Sequence, residues 1–399
     1  MSSTFCDRPW VFRTVHITKP LYKMCCISTD IKLDLNYSIE DQPRLNQIKD
    51  DLQNNKEPYE CRFCFEHERN GLPSYRTSRS SPGIKPLQIF EIQLENTCNF
   101  HCASCSPVFS SKWQAPESLI LRDQAVKLGL RAPYSSSTRL HREEKLSASN
   151  QSLIVDNIYK HRQSLTDIVF IGGEPSIIPQ FYDIIEEIKN IVNKETNLLI
   201  CTNGSMSDAI KNKFMSMLEN NKGRNTFKVS WSADAAYEIG EFLRAGLNYI
   251  EFKNNFRDYV ALANENHNLK YSLAITTSSL NLKHQIDLVD DIFSDLGSME
   301  IKPIYLAYGD RFFNASAYGK FFRHLITDND LNNLYKLSPF YYKGYNDYVR
   351  KLFQSEPDID SIVKGIEWVG KYSKHVKINI PTAIQNDFDT VLKLINNEQ

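Results

Sequence analysis

Apolar residues recur along most of the chain in two alternating patterns, short strand-like runs and longer runs with helical spacing. The strand-like runs predict six strands, at residues 87–94, 167–171, 197–201, 227–232, 270–275 and 301–306. Between them, apolar positions three or four residues apart predict helices, the clearest at residues 181–191, 210–218 and 286–292. This alternation is typical of an α/β fold with a parallel sheet. Six repeats predict a partial (β/α)6 TIM-like barrel with ligands at the carboxyl ends of its strands, and a doubly wound sheet is the competing architecture.

Two flanking regions depart from this repeat. Residues 1–84 predict a small separate domain with an apolar run at residues 11–17 and a helix from about Asp41. The buried face of that helix is predicted to carry Leu45, Ile48 and Leu52. Few apolar residues remain there for a core, so bound metal could supply the missing stability. Residues 85–310 form the predicted barrel, and residues 311–399 predict a helical C-terminal region rich in aromatics.

The predicted barrel contains a long insertion at residues 106–165, which exceeds what one helix needs and includes a low-complexity run at 133–138. Long loops in compact domains are more often functional than idle, so we expect a lid or a substrate loop. Tyr305, Tyr308 and Asp310 close the sixth strand and are candidate pocket residues by position alone. No catalytic residue can be named from the sequence.

The overall composition narrows the class of protein. The chain has 399 residues, 41% of them hydrophobic, which is enough to bury a sizeable core. Lys and Arg number 47 and Asp and Glu 48, so the formal net charge of -1 gives no electrostatic support for a nucleic-acid partner. The N-terminus lacks the apolar core of a signal peptide, and no run of eighteen apolar residues would span a bilayer. We expect a soluble, cytoplasmic protein with no membrane partner.

Nine cysteines are the informative part of the composition, and three of them follow the first predicted barrel strand as Cys98, Cys102 and Cys105. Thiolates at this spacing can bind three irons of a 4Fe-4S cluster and leave the fourth iron open for a ligand. Zinc is the alternative, with His101 as a fourth ligand, although structural zinc sites are usually built from paired Cys or His units.

A second set of cysteines lies in the N-terminal region, and Cys6, Cys25 or Cys26, Cys61 and Cys64 could close a four-thiolate site. Such a site suits either a 4Fe-4S cluster or zinc. Cys201, at the end of the third predicted barrel strand, is expected to be a small buried apolar residue.

In the Cys98–Cys105 segment and four further motifs, the sequence resembles the radical S-adenosylmethionine (SAM) superfamily. The further motifs are Gly172-Gly173-Glu174-Pro175, Thr202-Asn203-Gly204, Ser230-Trp231-Ser232-Ala233-Asp234 and Phe242-Leu243-Arg244-Ala245-Gly246. They cover about residues 87–310 in the order of the family, and most lie at predicted carboxyl ends of strands. One departure is Ser104, where relatives often have a bulky residue, so contacts to adenine could differ.

The resemblance implies SAM and an iron–sulfur cluster as cofactors. The implied SAM-binding residues are Gly172, Gly173, Glu174, Thr202, Asn203, Ser232, Asp234 and Arg244. Glycines let the backbone approach the methionyl end of SAM, and Arg244 would pair with its carboxylate. One-electron reduction then cleaves SAM to a 5'-deoxyadenosyl radical that abstracts a substrate hydrogen. A flavodoxin- or ferredoxin-type reductant is the implied partner.

The N-terminal cysteines resemble the auxiliary-cluster modules called twitch or SPASM domains, which implies a second 4Fe-4S cluster. The implied ligands are Cys6, Cys25, Cys61 and Cys64. Relatives have Gly five positions before the second cysteine; Pro20 stands there for Cys25 and Leu21 for Cys26, and a turn favours proline. We therefore choose Cys25, while noting that relatives usually carry this module after the barrel.

The substrate is not named by these motifs. Our leading hypothesis is oxidation, cross-linking or epimerisation of a peptide or protein, because the insertion and the aromatic C-terminal region could line an extended groove. A small-molecule radical dehydrogenase acting on a sugar, alcohol or nucleotide is the second reading, and a tRNA-modifying role ranks third. A zinc-stabilised interaction protein without catalysis is the non-enzymatic alternative.

Overall fold

The computed structural model describes residues 4–17, 20–69, 74–79, 81–130, 149–221, 223–305, 311–336 and 345–398. Its strands are β1 Phe12–His16, β2 Leu21–Lys23, β3 Ile31–Lys32, β4 Ile89–Gln93, β5 His101–Cys102, β6 Asp167–Ile171, β7 Asn197–Thr202, β8 Thr226–Ser232, β9 Arg244–Ala245, β10 Leu269–Thr277 and β11 Glu300–Tyr305. Within this part of the chain, no helix combines the length and apolar character needed to cross a membrane.

The α-helices fill most of the intervals between these strands. They are α1 Arg8–Val11, α2 Pro43–Gln53, α3 Arg62–Arg69, α4 Tyr75–Arg79, α5 Pro116–Lys127, α6 Ser149–His161, α7 Pro179–Ile188, α8 Asp208–Asn220, α9 Tyr237–Leu243, α10 Tyr249–Asn264, α11 Gln285–Leu296, α12 Phe322–Leu325, α13 Asp328–Lys336, α14 Tyr345–Leu352, α15 Ile359–Val376 and α16 Thr382–Glu398. The molecule is therefore a mixed α/β protein.

The six predicted barrel strands are confirmed as β4, β6, β7, β8, β10 and β11, with shifts of one or two residues at most ends. The predicted helices are confirmed as α7, α8 and α11. The N-terminal helix is α2, in which Pro43 occupies the first turn and Leu45, Ile48 and Leu52 are all buried. Most of the described C-terminal region is helical, as predicted.

The chain divides into two compact units. The first unit comprises Met1–Glu95, Tyr134–Ile200 and Ser216–Lys228, and the second comprises Asn96–Pro133, Cys201–Met215 and Val229–Gln399. The predicted boundaries at residues 84 and 310 stay predictions, although β1 of the N-terminal region pairs with β4 in one sheet.

The sheet of the first unit has the strand order β7-β6-β4-β1-β2-β3. β7, β6, β4 and β1 are parallel, whereas β1, β2 and β3 form an antiparallel meander. One sheet face is fully buried and mostly apolar, with Val15, Phe90, Ile92, Ile168, Phe170, Leu198 and Ile200, although it also carries Arg13, which pairs with Glu40. The opposite face carries buried polar side chains towards the carboxyl ends of β1 and β4, which is where parallel sheets bind ligands.

The second unit contains the parallel pair β10 and β11, with β8 beside β10, and a short antiparallel pair of β5 and β9. Its helices include α15, whose Trp368 indole Nε1 donates to the Leu121 carbonyl of α5 at 3.0 Å. The rings of Trp113, Trp368 and Tyr372 stack with interplanar angles of 13–16°. This aromatic stack supports residues 98–105, which carry Cys98, Cys102 and Cys105.

Candidate functional site

Residues 98–105, here called the cysteine loop, are positioned by backbone pairing within the second unit. β5 and β9 place Cys102 opposite Arg244, and the Ala103 amide donates to the Leu243 carbonyl at 2.8 Å. The Cys105 amide donates to the Cys102 carbonyl at 3.0 Å, which closes a tight turn between the last two cysteines. At the start of the loop, the Phe100 amide donates to the Cys98 sulfur at 3.4 Å. The three cysteines therefore lie on a turn that hydrogen bonds hold at both ends.

The three thiols of the cysteine loop are half-buried, and none of them forms a disulfide. Burial raises the pKa of Cys102 well above its usual value, Arg244 opposes this rise, and charge on Cys105 and Cys98 adds to it. A bound cation would reverse this balance, because metal coordination stabilises thiolates. Charge on one of these thiols therefore disfavours charge on Cys102 while no cation is bound.

His101 lies within the cysteine loop, but its ring belongs to the aromatic stack. It packs edge-on against Trp113 at 4.2 Å and against His375 at 5.0 Å between ring centroids. Burial lowers the pKa of His101 to about 4, and the neighbouring His375 and Lys112 contribute to the shift. The loop backbone is tied to the same stack, because the Trp113 indole donates to Cys102 O at 3.0 Å and the Tyr372 hydroxyl to His101 O at 2.6 Å.

Arg244 and Asp234, both predicted to contact SAM, form a buried two-point ion pair. Arg244 Nε and Nη2 donate to the two Asp234 carboxylate oxygens at 2.9 and 3.1 Å. Burial lowers the pKa of Arg244, but the Asp234 carboxylate more than offsets this, so the net pKa is raised. The Thr276 amide also donates to Asp234, at 2.9 Å. A SAM carboxylate would therefore have to share or replace an existing partner of Arg244.

A small cavity adjoins this ion pair on the side of the cysteine loop. It is lined by Ala103, Ser104, Asp234, Leu243, Thr276, Ser278 and Phe313. Ser104, the residue that departs from the family pattern, thus faces the same space as Asp234.

The Thr202-Asn203-Gly204 segment reaches the cysteine loop through Asn203. Its Nδ2 donates to Asn99 Oδ1 at 2.7 Å and lies 4.0 Å from the Cys98 sulfur. Gly204 has φ +71°, and an added Cβ would lie 2.7 Å from Trp231 and Phe252, so only glycine fits this turn. Ser232 is half-buried at the end of β8.

The Gly172-Gly173-Glu174 segment belongs to the first unit and follows β6 directly. Gly172 has φ +151°, and a Cβ there would lie 2.8 Å from the Glu95 carbonyl, which also accepts from the Gly173 amide at 3.0 Å. The Glu174 side chain is buried and caps a short 3-10 helix by accepting from the Ser176 amide at 3.1 Å. Its carboxylate thus supports the turn, which leaves the backbone of this segment as the candidate ligand-binding element.

The N-terminal cysteines meet in one pocket of the first unit. Cys6, Cys25, Cys61 and Cys64, here called the thiol pocket, line it together with Arg8, Tyr75 and Arg76. Cys26 is described but is not among the residues that line the pocket. A hydrogen bond from Cys25 lowers the pKa of Cys26 to about 7, and a hydrogen bond from Tyr75 contributes.

Burial raises the pKa of all four thiols in the thiol pocket, and part of their surroundings opposes that rise. Backbone amides donate to three of its sulfurs: Arg8 to Cys6, Ile27 to Cys25, and Tyr75 and Arg76 to Cys64. Burial raises the pKa of Cys6 to about 11, while the charge of Arg8 lowers it. Burial likewise raises the pKa of Cys61 and Cys64. Amide donors and arginines around buried sulfur are what an anionic thiolate centre requires.

Both cysteine groups supply a donor set that suits iron–sulfur ligation, and four thiols also suit zinc. As the side chains stand, no group of three or more His, Cys, Asp or Glu among the described residues could hold a metal ion. Binding at either site would therefore require the thiols to shift.

One expectation about the cysteines is wrong: Cys201 is exposed. Along β7 the buried residues are Leu198, Ile200 and Thr202, and strand alternation turns Cys201 to the other face.

Among the candidate pocket residues, Tyr305 ends β11. Tyr308 and Asp310 lie outside the described residues, as does the run at 133–138.

Sequence reasoning missed the polar residues on the sheet of the first unit, notably Glu91 and its partner Thr14. The available signal was the alternation in β4, where Glu91 and Gln93 interrupt an apolar strand.

No family model matches the sequence, and no curated protein matches it. Among solved structures, SuiB from Streptococcus suis is 11% identical with a TM-score of 0.40, over 79% of this chain and 54% of SuiB. SuiB bound to precursor peptide SuiA is 11% identical, with a TM-score of 0.37 over 88% of this chain and 54% of SuiB. SuiB bound to S-adenosylmethionine is 12% identical, with a TM-score of 0.32 over 73% and 63%. The chain spans less than two thirds of each of these proteins, and at TM-scores below 0.5 the similarity carries no argument about fold or function.

Proposed function

We propose that the chain is a radical SAM enzyme that modifies a peptide or protein with the help of an auxiliary iron–sulfur cluster. The observation that carries the proposal is the cysteine loop, in which Cys98, Cys102 and Cys105 lie near one another in a turn fixed by β5 and β9. Asn203, from a second motif of the family pattern, lies beside the Cys98 sulfur. The α/β architecture with parallel strands is compatible with a (β/α)6 barrel.

In this proposal, Cys98, Cys102 and Cys105 hold a 4Fe-4S cluster, and Arg244 lies near the carboxylate of bound SAM. When bound, the cluster and SAM supply a 5'-deoxyadenosyl radical that abstracts a hydrogen atom. The chain itself contributes positioning. The Asp234 carboxylate holds the Arg244 guanidinium in a fixed orientation, and Asn203 fixes the start of the cysteine loop through Asn99.

The thiol pocket is proposed to hold the auxiliary 4Fe-4S cluster. Its elements follow the order of a twitch or SPASM module: Cys6, the antiparallel strands β1 and β2, Cys25, helix α2, and then Cys61 and Cys64. Cys25 is the proposed ligand because it lines the pocket and Cys26 does not. Arg8 and Arg76 border the pocket and would offset the negative charge of four thiolates.

A peptide or protein is the proposed substrate class, and a flavodoxin- or ferredoxin-type protein is the proposed reductant. The support for a peptide is the insertion at residues 106–165, of which 131–148 lie outside the described residues. A sugar, alcohol or nucleotide remains the competing substrate.

Anaerobic reconstitution followed by SAM turnover tests the proposal. We expect about seven to eight irons per chain, from two clusters, and 5'-deoxyadenosine release that rises when peptides encoded beside the gene are added. Release stimulated by a polyol but by no peptide would redirect the proposal to the small-molecule reading. A colourless protein with bound zinc and no SAM cleavage would contradict the enzymatic reading as a whole.

A further inference from the structure

Polar and apolar side chains lie next to each other on one face of the sheet in the first unit. The strand register pairs Thr14 of β1 with Glu91 of β4, and Glu91 with Val169 of β6, so these three side chains point to the same side. Two residues further along, Gln93 and Ile171 pair on that side as well. We call these five residues the amphipathic face, and all of them belong to the first unit.

Glu91 is a buried carboxylate of this face that lacks a paired cation. The residue is 8% exposed, and its Oε1 accepts a 2.7 Å hydrogen bond from the Thr14 hydroxyl. Burial raises the pKa of the Glu91 carboxyl, and the charge of Lys23 opposes the rise. The Lys23 ammonium, however, lies 3.7 Å from Asp30 Oδ1, and within the described part of the chain Glu91 forms no salt bridge. Because an unpaired buried charge is costly, Glu91 is suited to a cation supplied by a ligand.

Gln93 is a second acceptor on the same face that lacks a donor. The residue is 3% exposed, and its Oε1 is buried without a hydrogen-bond partner. Buried amide oxygens are rarely left unpaired. Residues two apart on one strand have Cα atoms about 6.6 Å apart, and two hydrogen bonds from one nitrogen span about 5–6 Å. One nitrogen with several N–H groups can therefore reach both Glu91 and Gln93.

The neighbouring strands add a partly exposed apolar surface on the same side. In β6, Val169 and Ile171 are half-buried, whereas Ile168 and Phe170 on the opposite face are fully buried. The register of β6 with β7 places Leu199, which is also half-buried, beside Val169. This side of the sheet is thus accessible next to the two acceptors, and its side chains suit contact with an alkyl chain.

A metal ion fits the amphipathic face less well than an organic cation. The face supplies one carboxylate and one amide oxygen, whereas calcium and magnesium take six or more oxygen ligands. As the side chains of the described residues stand, no group of three or more His, Cys, Asp or Glu could hold a metal ion. A protonated amine needs only acceptors and a compensating charge.

We infer that the amphipathic face binds a primary alkylammonium group. The Glu91 carboxylate pairs with the charge and accepts one N–H, Gln93 Oε1 accepts a second N–H, and the alkyl chain packs on Val169 and Ile171. Thr14 is a positioning residue, because it acts through Glu91. The inference goes beyond the proposed function, since it assigns a class of ligand without a reaction step and uses residues of the first unit alone.

A ligand-observed NMR titration of the reconstituted full-length chain tests the inference with three probes. The probes are n-butylammonium, the uncharged n-butanol, and tetramethylammonium, which carries the charge but has no N–H group. We expect n-butylammonium to bind and the other two to bind at least about 10-fold more weakly, because each lacks one of the two required properties. Equal affinity for all three probes, or no binding of n-butylammonium, would overturn the inference.

Substitutions on the sheet assign the binding to the two acceptors. Glu91→Gln should weaken the Kd for n-butylammonium by about 10- to 100-fold, and Gln93→Met by about 2- to 10-fold. The control is Asp167→Asn, on the same side at the amino end of β6, where the carboxylate already accepts from Asn197 Nδ2 at 2.9 Å. That variant should leave the Kd unchanged.

Thermal unfolding of each variant shows whether it is folded, and if Glu91→Gln is not, Gln93→Met and the three probes still decide. Wild-type affinity in a folded Glu91→Gln, or in Gln93→Met, would contradict the inference. None of these readouts depends on SAM cleavage, so they stand apart from the test of the proposed function.

Discussion

The cysteine loop and the thiol pocket reach similar chemistry by opposite routes. The loop places Cys98, Cys102 and Cys105 within residues 98–105, so their proximity is a property of one turn. The thiol pocket instead gathers Cys6, Cys25 and the Cys61–Cys64 pair from segments separated by strands and a helix. The first arrangement can be read from spacing, whereas the second depends on how β1, β2, α2 and α3 pack.

The two regions also differ in how they manage charge. In the cysteine loop, Arg244 faces Cys102 but is neutralised by its two hydrogen bonds to Asp234. In the thiol pocket, Arg76 pairs with Glu68, while backbone amides donate to the sulfurs. Both regions thus pair an arginine with a carboxylate, and the difference is that the pocket adds Arg8 and amide donors to three of its sulfurs.

The largest effect is expected when the cysteine loop is removed and the thiol pocket kept. Changing Cys98, Cys102 and Cys105 together to Ala should abolish SAM cleavage and lower bound iron from about eight to about four per chain, because the pocket retains its four ligands. Iron analysis and 5'-deoxyadenosine assays after reconstitution give the readout. Cys201→Ala, at an exposed cysteine, is the control and should change neither value. Complete loss of iron in the triple variant would contradict the independence of the two sites.

A smaller effect is expected from single changes at the adjacent residues Cys25 and Cys26. Cys25→Ser should remove about four irons per chain while leaving the cysteine loop loaded, since Cys25 lines the pocket. Cys26→Ser should retain both clusters, because Cys26 does not line it. The same iron analysis decides between them. Loss of iron in Cys26→Ser alone would reverse the ligand assignment.

Particular residues show why sequence reasoning found the cysteine loop and missed the polar pair on the sheet of the first unit. Strand positions and the spacing of Cys98, Cys102 and Cys105 follow local patterns, which the sequence displays directly. The hydrogen bond from the Thr14 hydroxyl to the Glu91 carboxylate joins residues 77 positions apart. It forms only because β1 and β4 pair in one register. Register is a tertiary property, and a one-residue slip would turn Glu91 to the other face.

Cys201 and Arg244 illustrate two other limits. The exposure of Cys201 follows from strand alternation. The sequence analysis predicted a buried side chain instead, because free cysteine usually behaves as a small apolar residue. Arg244 was predicted to contact a cofactor, and its bidentate pairing with Asp234 became visible only when the fold brought the two together. Side-chain pairing across turns is therefore the part of the site that sequence patterns convey least.

The smallest effect should come from a change behind the cysteine loop that touches no sulfur. Gly246 has φ +112°, and a Cβ there would lie 3.0 Å from both Asn99 O and Phe100 Cδ1, so Gly246→Ala must push the loop. Gly297→Ala is the control, because Gly297 also has a positive φ of +79° but has no neighbour within 4 Å of the added Cβ. Both variants should lose about 1–3 kcal/mol of unfolding free energy through backbone strain, measured by denaturant titration.

Only Gly246→Ala should also lose iron from the cysteine loop, seen as faster release to a chelator with SAM cleavage reduced several-fold. The iron of the thiol pocket should be retained, because that pocket makes no use of Gly246. Equal iron release from Gly246→Ala and Gly297→Ala would mean that the cysteine loop accommodates the added methyl group without weakening its hold on iron. The turn held by β5 and β9 would then be looser than its hydrogen bonds imply, and the contrast between a locally built site and a packed one would lose its physical basis.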